Sequence, residues 1–360
     1  MDIDELLARA IEMSASDLHL NVGSEPVLRI DGRLKKFPDL PPVTDEDAIA
    51  ALERVTTRAQ RDRFFEEKEL DFSYQLPELG RHRVNVLIQK GVISIAFRLL
   101  SSVLSPLESL GLPPIFGEMS LKPRGLILVT GPTGSGKSTS MAAMIKHINE
   151  RQERHIITIE DPIEYVHENI KSLILQRNVG EDTVSFSEAL RRALRHDPDV
   201  IVIGEMRDLT TIATAISAAE TGHLVLGTLH TLDAPETINR IVDVFPPEQQ
   251  SQITLQLSQV LIAVLSQTLV PCIGGGRAPA CEIMITNAAI KNVIRQKQIH
   301  MLHGIMEVSS KDGMQTLNQS LARLVRQGLL SESEALAKSS DTEQLGELVH
   351  KMSGQMAYQR

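Results

Sequence analysis

One segment constrains this chain more than any other: Gly131-Pro132-Thr133-Gly134-Ser135-Gly136-Lys137-Ser138, a complete G-x-x-x-x-G-K-[ST] pattern. A short apolar run, Leu126 to Thr130, precedes it. After it, Met141, Met144, Ile145 and Ile148 recur at helical spacing. Strand, glycine-rich turn and helix in that order form the context that gives the pattern its meaning. The glycines let the backbone curl until successive N–H groups face one anion, and the helix N-terminus adds to the field. Lys137 then neutralises β and γ phosphates, while the Ser138 hydroxyl is suited to hold Mg²⁺.

The surrounding pattern fits an α/β fold. Short apolar runs at Leu126 to Thr130, His155 to Ile159, Val200 to Ile203 and Leu224 to Leu229 alternate with amphipathic stretches such as Leu209, Ile212, Ala213 and Ile216. That alternation predicts a parallel sheet. Upstream, the chain reads as a smaller α+β domain. A helix is expected over Ile3 to Met13, and a strand over Val27 to Ile30 that turns at Asp31-Gly32. Phe37 to Val43 reads as a loop, and Arg81 to Val86 and Ile93 to Arg98 as alternating strands with one polar face. Pro106, Gly111, Pro113, Pro114 and Gly117 punctuate a linker. The expected organisation is therefore residues 1–100, a linker at 101–117, and an ATP-site domain at 118–360. That domain is read as mostly helical beyond Pro271, with a mobile tail after Ser353.

Composition removes several alternatives. The chain has 360 residues, enough for about two domains. Its net charge of -9, the absence of Trp, and only 3 Tyr and 8 Phe argue against nucleic-acid binding, which needs clustered cations and stacking platforms. Cys272 and Cys281 are too few for a disulfide framework or a four-thiolate zinc site. The acidic start, Met1-Asp2-Ile3-Asp4-Glu5, is unlike a secretory leader, and no apolar run reaches the roughly 18 residues of a membrane-spanning helix. A cytoplasmic protein is expected.

Ligands of open parallel sheets sit beyond the carboxyl ends of the strands. Each expected strand here ends in a group with chemistry: the loop at Gly131, then Glu160-Asp161-Pro162-Ile163-Glu164, Gly204-Glu205, and Leu229-His230. Together they would set carboxylates and an imidazole around one triphosphate. Gly204 stands where phosphate-loop ATPases usually carry a metal-site Asp, so Glu205 is assigned to the metal or its water shell. Glu164 is left as the better general base.

At these residues the chain resembles the secretion ATPase superfamily, and within it the type IV pilus retraction ATPases. Gly131 to Ser138, Thr158 to Glu164, Leu194 to Asp208 and Thr221 to Thr231 are similar to its Walker A, Asp, Walker B and His boxes. Ala15-Ser16-Asp17-Leu18-His19-Leu20 and Gly313-Met314-Gln315-Thr316-Leu317 extend the likeness. The resemblance implies a PAS-like N-terminal domain before a RecA-like ATPase domain, assembled as a homohexamer. ATP and Mg²⁺ would be the cofactors and the inner-membrane pilus platform protein the partner, with the ring peripheral to that membrane. It also implies roles for named residues. Glu164 acts on the attacking water, Glu205 is the Walker B acid, and His223 and His230 come from the His box. Arg81, Arg83 and Arg98 of the first domain reach phosphate. The expected nucleotide contacts are Gly131, Pro132, Thr133, Gly134, Ser135, Gly136, Lys137, Ser138, Thr139, Glu160, Asp161 and His223. Mg²⁺ falls to Ser138 and Glu205, directly or through water. Arg195 and Arg207 are read as structural ion pairs.

The retraction branch carries a motif written A-I-R-N-L-I-R-E. Here it is Ala289-Ile290-Lys291-Asn292-Val293-Ile294-Arg295-Gln296, departing at Lys291, Val293 and Gln296. Pilus assembly and type II secretion ATPases are the alternative within the class, but they usually carry an extra domain and a four-cysteine zinc insertion. A nucleic-acid translocase is the alternative outside it.

Overall fold

A computed structural model describes residues 1–30, 32–76, 80–99 and 104–351. The chain divides into two compact units: Met1–Leu104 with Pro162–Val166, and Ser105–Asp161 with the remainder from His167.

The first unit is built on an antiparallel sheet of β1 (Asp17–Asn21), β2 (Val27–Ile30), β3 (Arg33–Lys36), β4 (Glu69–Leu76), β5 (Gly80–Gln89) and β6 (Val92–Leu99), in the order β3-β2-β1-β6-β5-β4. Helices Ile3–Glu12, Asp45–Val55 and Arg58–Glu67 bury their apolar stripes against it. The first begins where the Asp2 carboxylate accepts from the N–H groups of Asp4 and Glu5, which helical geometry leaves unpaired. Side chains alternate along β5, so Val84 and Val86 enter the core while Arg81 and Arg83 lie on the other face. The expected helix is present and β2 pairs antiparallel with β3, while Asp31 of the expected turn lies outside the described residues. Ala15 to Leu20, singled out only as a motif, is mostly the central strand β1.

The second unit holds the sheet of β7 (Gly125–Thr130), β8 (His155–Glu160), β9 (Leu173–Asn178), β10 (Val200–Ile203), β11 (Leu224–Leu229), β12 (Leu261–Pro271) and β13 (Arg277–Ile285). Its order is β13-β12-β7-β11-β10-β8-β9, parallel throughout except for β13 against β12. β7, β10 and β11 are buried along their whole length, because helices cover both faces. The region beyond Pro271 is mostly helical, as expected, but it opens on a strand that the expectation did not include. β12 and β13 form a long hairpin through Gly274, Gly275 and Gly276, all at positive φ, before the helices resume at Ala288. Of the expected linker, residues 101–103 lie outside the described residues. The part from Ser105 belongs to the second unit, where Leu107 and Phe116 are buried beside Met144 and Ile148 of the helix Lys137–Arg151. The tail after Ser353 also lies outside the described residues.

Candidate active site

The phosphate loop joins β7 to the helix Lys137–Arg151, as its sequence requires. Gly131 has φ 140° and a Cβ there would fall 2.1 Å from the carbonyl oxygen of Gln267, so β12 leaves room for hydrogen only. Gly134 and Gly136 have φ of 78° and 89°, the left-handed region that lets the loop turn back into the helix. Lys137 is 8% exposed. Its ammonium donates to the carbonyls of Gly131 at 2.7 Å and Pro132 at 3.1 Å, and lies 3.4 Å from His230 Nδ1. Ser138 and Pro132, Thr133 and Gly134 are exposed on the loop and first helical turn.

The acids arrive from neighbouring strands. Gly204 directly follows β10, and a Cβ there would lie 3.0 Å from the Ile159 carbonyl and 3.2 Å from Glu160 Cα. A side chain there would crowd that backbone, which suits glycine at Gly204 and leaves the acid to Glu205. Glu205 Oε1 accepts from His230 Nε2 at 3.0 Å and from the Arg207 guanidinium. That hydrogen bond, and then the charge of Glu205, raise the Arg207 pKa, so the structural ion pair expected there is present. Since the Lys137 ammonium can only donate, His230 Nδ1 is the acceptor and Nε2 carries the proton given to Glu205. The imidazole therefore links the loop lysine to Glu205. At the end of β8, Glu160 Oε1 accepts from Thr158 at 2.6 Å and from Gln176 at 3.1 Å, while Asp161 is exposed.

Lys137, Glu205 and His230 are thus brought together at the carboxyl edge, beside a loop that includes Ser135, Ser138 and Thr139. His223 is not. It precedes β11 at the amino edge, where its Nδ1 lies 2.9 Å from the Ala218 carbonyl and its own carbonyl accepts from Gly125. β11 has six residues, so about 20 Å of strand separates His223 from His230. Within one chain His223 therefore lies at the edge opposite Lys137, Glu205 and His230.

Glu164 belongs, with Pro162–Val166, to the first unit, and the Asp box is therefore split after Asp161. That unit also carries the arginines. Arg83 stands opposite Arg98 in register, and Arg98 opposite Asp17. Like charges directly opposite on a sheet repel. Asp17 relieves this by pairing with Arg98 at 3.1 Å, and Asp71 lies 3.6 Å from Arg83. With Arg81 two residues before Arg83, one sheet face presents all three guanidinium groups.

Two buried polar residues were missed in the sequence. Gln267 of β12 is 3% exposed and bonds the loop at Ser135 and the helix at Ser140. Glu282 of β13 accepts from the Ala234 N–H at 3.0 Å, at the start of the helix that follows the His box. Burial pushes the Glu282 carboxyl up to about 7, against backbone hydrogen bonds from Ala234 and Leu317 that lower it. The signal for both was a polar side chain interrupting an apolar run. The motif Gly313 to Leu317 also has a structural use: Gln315 exchanges backbone hydrogen bonds with Ile283 and donates its side-chain amide to the Cys281 carbonyl.

A phosphate loop, an acid and a histidine on the carboxyl edge of this parallel sheet define a RecA-like ATPase. The chain belongs to the type II/IV secretion system protein family, whose model matches residues 1–337. It is 48% identical to the type IV pilus retraction ATPase PilT of Pseudomonas aeruginosa over 339 residues, covering 94% of this chain and 98% of the relative. A twitching motility protein of Neisseria gonorrhoeae is 46% identical, covering 89% of this chain and 86% of the relative. Among solved structures, the pilus retraction motor PilT with bound ADP matches with a TM-score of 0.91 and 48% identity, covering 96% of this chain and 99% of that one.

Proposed function

We propose that this chain hydrolyses ATP to power type IV pilus retraction, and with it twitching motility. The reading rests above all on the hydrogen-bonded line from Lys137 through His230 to Glu205 beside a complete phosphate loop. It gains from the chain's likeness, over nearly its whole length, to a pilus retraction ATPase.

The loop N–H groups and Lys137 hold the β and γ phosphates. His230 keeps Lys137 and Glu205 in register, so lysine and acid respond together when the phosphates engage. Ser138 is exposed on the first helical turn, and both bonds to Glu205 fall on Oε1, so the hydroxyl and Oε2 fit a magnesium ion with its water shell. Mg²⁺ bound there with ATP would offset charge on the phosphate oxygens. Glu164 orients the attacking water and accepts its proton, a role that typically contributes about 10²–10⁴-fold. Arg83, with Arg81 and Arg98, supplies positive charge to the γ-phosphoryl group from the first unit. An arginine on a separate unit makes hydrolysis depend on how the two units come together, which a motor requires.

The working form is a homohexamer on the cytoplasmic side of the inner membrane, acting on the pilus platform protein. Among the described residues no helix is long and apolar enough to cross a membrane, so in this reading the ring is peripheral. Imaging pili on cells that lack the protein tests the direction of work. Surplus pili that never retract are expected; absent pili would favour an assembly motor instead.

A further inference from the structure

Gln267 lies on β12, the strand beside β7, and touches the phosphate loop more closely than any residue outside it described above. Its Nε2 donates to the Ser135 carbonyl at 2.7 Å, and its Oε1 accepts from the Ser140 hydroxyl at 2.8 Å. The orientation of the amide is fixed, because a carbonyl oxygen can only accept. The main-chain oxygen of Gln267 occupies the space a Gly131 side chain would need, and its Nε2 would lie 3.1 Å from a Cβ on Gly136. Three points of the loop, and the first turn of the helix after it, are therefore referenced to one buried residue on β12, Gly131 to its main chain and the others to its side chain.

A trans peptide points its C=O and N–H in opposite directions. Holding the Ser135 carbonyl against β12 turns the Gly136 N–H away from that strand. Gly136 is the residue before Lys137, and its N–H is one of the donors an anion in the loop would use. We propose that Gln267 is a positioning residue for phosphate: by fixing the Ser135–Gly136 peptide it presets a donor of the loop, without touching the nucleotide. The proposal rests on the ATPase reading of the loop. It predicts an effect on binding more than on the chemical step, because a misaimed loop donor weakens ground state and transition state alike.

The test is steady-state ATP hydrolysis by the full chain carrying Gln267→Met, which keeps the length and loses both bonds. Two net hydrogen bonds correspond to a KM about tenfold higher, with kcat at saturation little changed. Ser140→Ala, a gentler change that removes one partner and preserves the core, should raise KM by about threefold. Added to Gln267→Met it should raise KM no further, since the bond is already gone. A Gln267→Met enzyme with unaltered KM, or with kcat and melting temperature falling in its place, would overturn the proposal. Lys137→Ala, measured in parallel, separates the failures. If it loses ATP binding while Gln267→Met is normal, only the role of Gln267 falls. If both are normal, the phosphate site falls with it.

Discussion

The two edges of the seven-stranded sheet are made of the same strands but have different chemistry. At the carboxyl edge, Lys137, His230 and Glu205 are bonded to one another across three strands. At the amino edge, His223 is bonded to the backbone of the turn it follows. Strand direction explains the difference. In parallel strands every carboxyl end opens on the same side, so short side chains just past them converge, while residues just before the strands are spent on closing turns. A histidine seven residues away in the sequence is thus on the other side of the domain.

The comparison breaks most severely if the carboxyl edge proves self-sufficient. Arg83→Ala in the first unit is expected to bind ATP and turn it over about 10³–10⁵-fold more slowly, as when an arginine finger is removed. Turnover at the normal rate would mean that the edge contains all of its own chemistry. A smaller effect sharpens the contrast between the histidines. His230→Ala removes the link between a cation and an anion and should cost about 10–100-fold in kcat/KM. His223→Ala, a turn substitution, should stay within about twofold for ATP turnover per subunit. Equal losses would sink the distinction between the edges.

Glu282 offers a milder test through pH. Its folded pKa, about 7, lies above the ordinary glutamate value of 4.5, so the native state binds more protons than the unfolded state between those values. Stability from this group is present at low pH and is lost as pH rises through about 7. The melting temperature of Glu282→Gln should therefore fall less between about pH 5 and pH 8 than that of the parent. A parallel pair of curves would contradict the assignment.

The smallest effect on hydrolysis is expected at the helix Ala288–Arg295. Ile290, Val293 and Ile294 are buried as their spacing predicts, and Arg295 is exposed on another face. The double variant Lys291→Ala, Arg295→Ala should keep its oligomeric state and its ATPase rate within about twofold, while cells carrying it fail to retract pili. Normal retraction would deny the segment a coupling role, and loss of the oligomer would make it packing.

These contrasts also show what was legible in the sequence. The loop, Glu205 and His230 could be read because each follows an apolar strand of recognisable length, and strand ends in a parallel sheet share an edge. Gly204 looked like a departure until the close approach of Ile159 and Glu160 explained it. β12 and β13 were not legible as a hairpin. Their polar residues, Ser266, Gln267 and Glu282, interrupt the apolar runs by which strands are recognised, and their partners are far away in the chain. Helices Asp45–Val55 and Arg58–Glu67 were passed over although Thr44 and Thr57 both begin capping boxes. His223, brought in by resemblance alone, stands before its strand and so lies at the edge opposite the loop of its own chain.

The central claim is that ATP is hydrolysed at the carboxyl edge by the group containing Glu205. It is tested most directly by measuring equilibrium ATP binding and single-turnover hydrolysis on the same preparation of Glu205→Gln. Binding close to that of the parent with turnover lower by about 10²–10⁴-fold is the predicted result. Hydrolysis at the parental rate would contradict it.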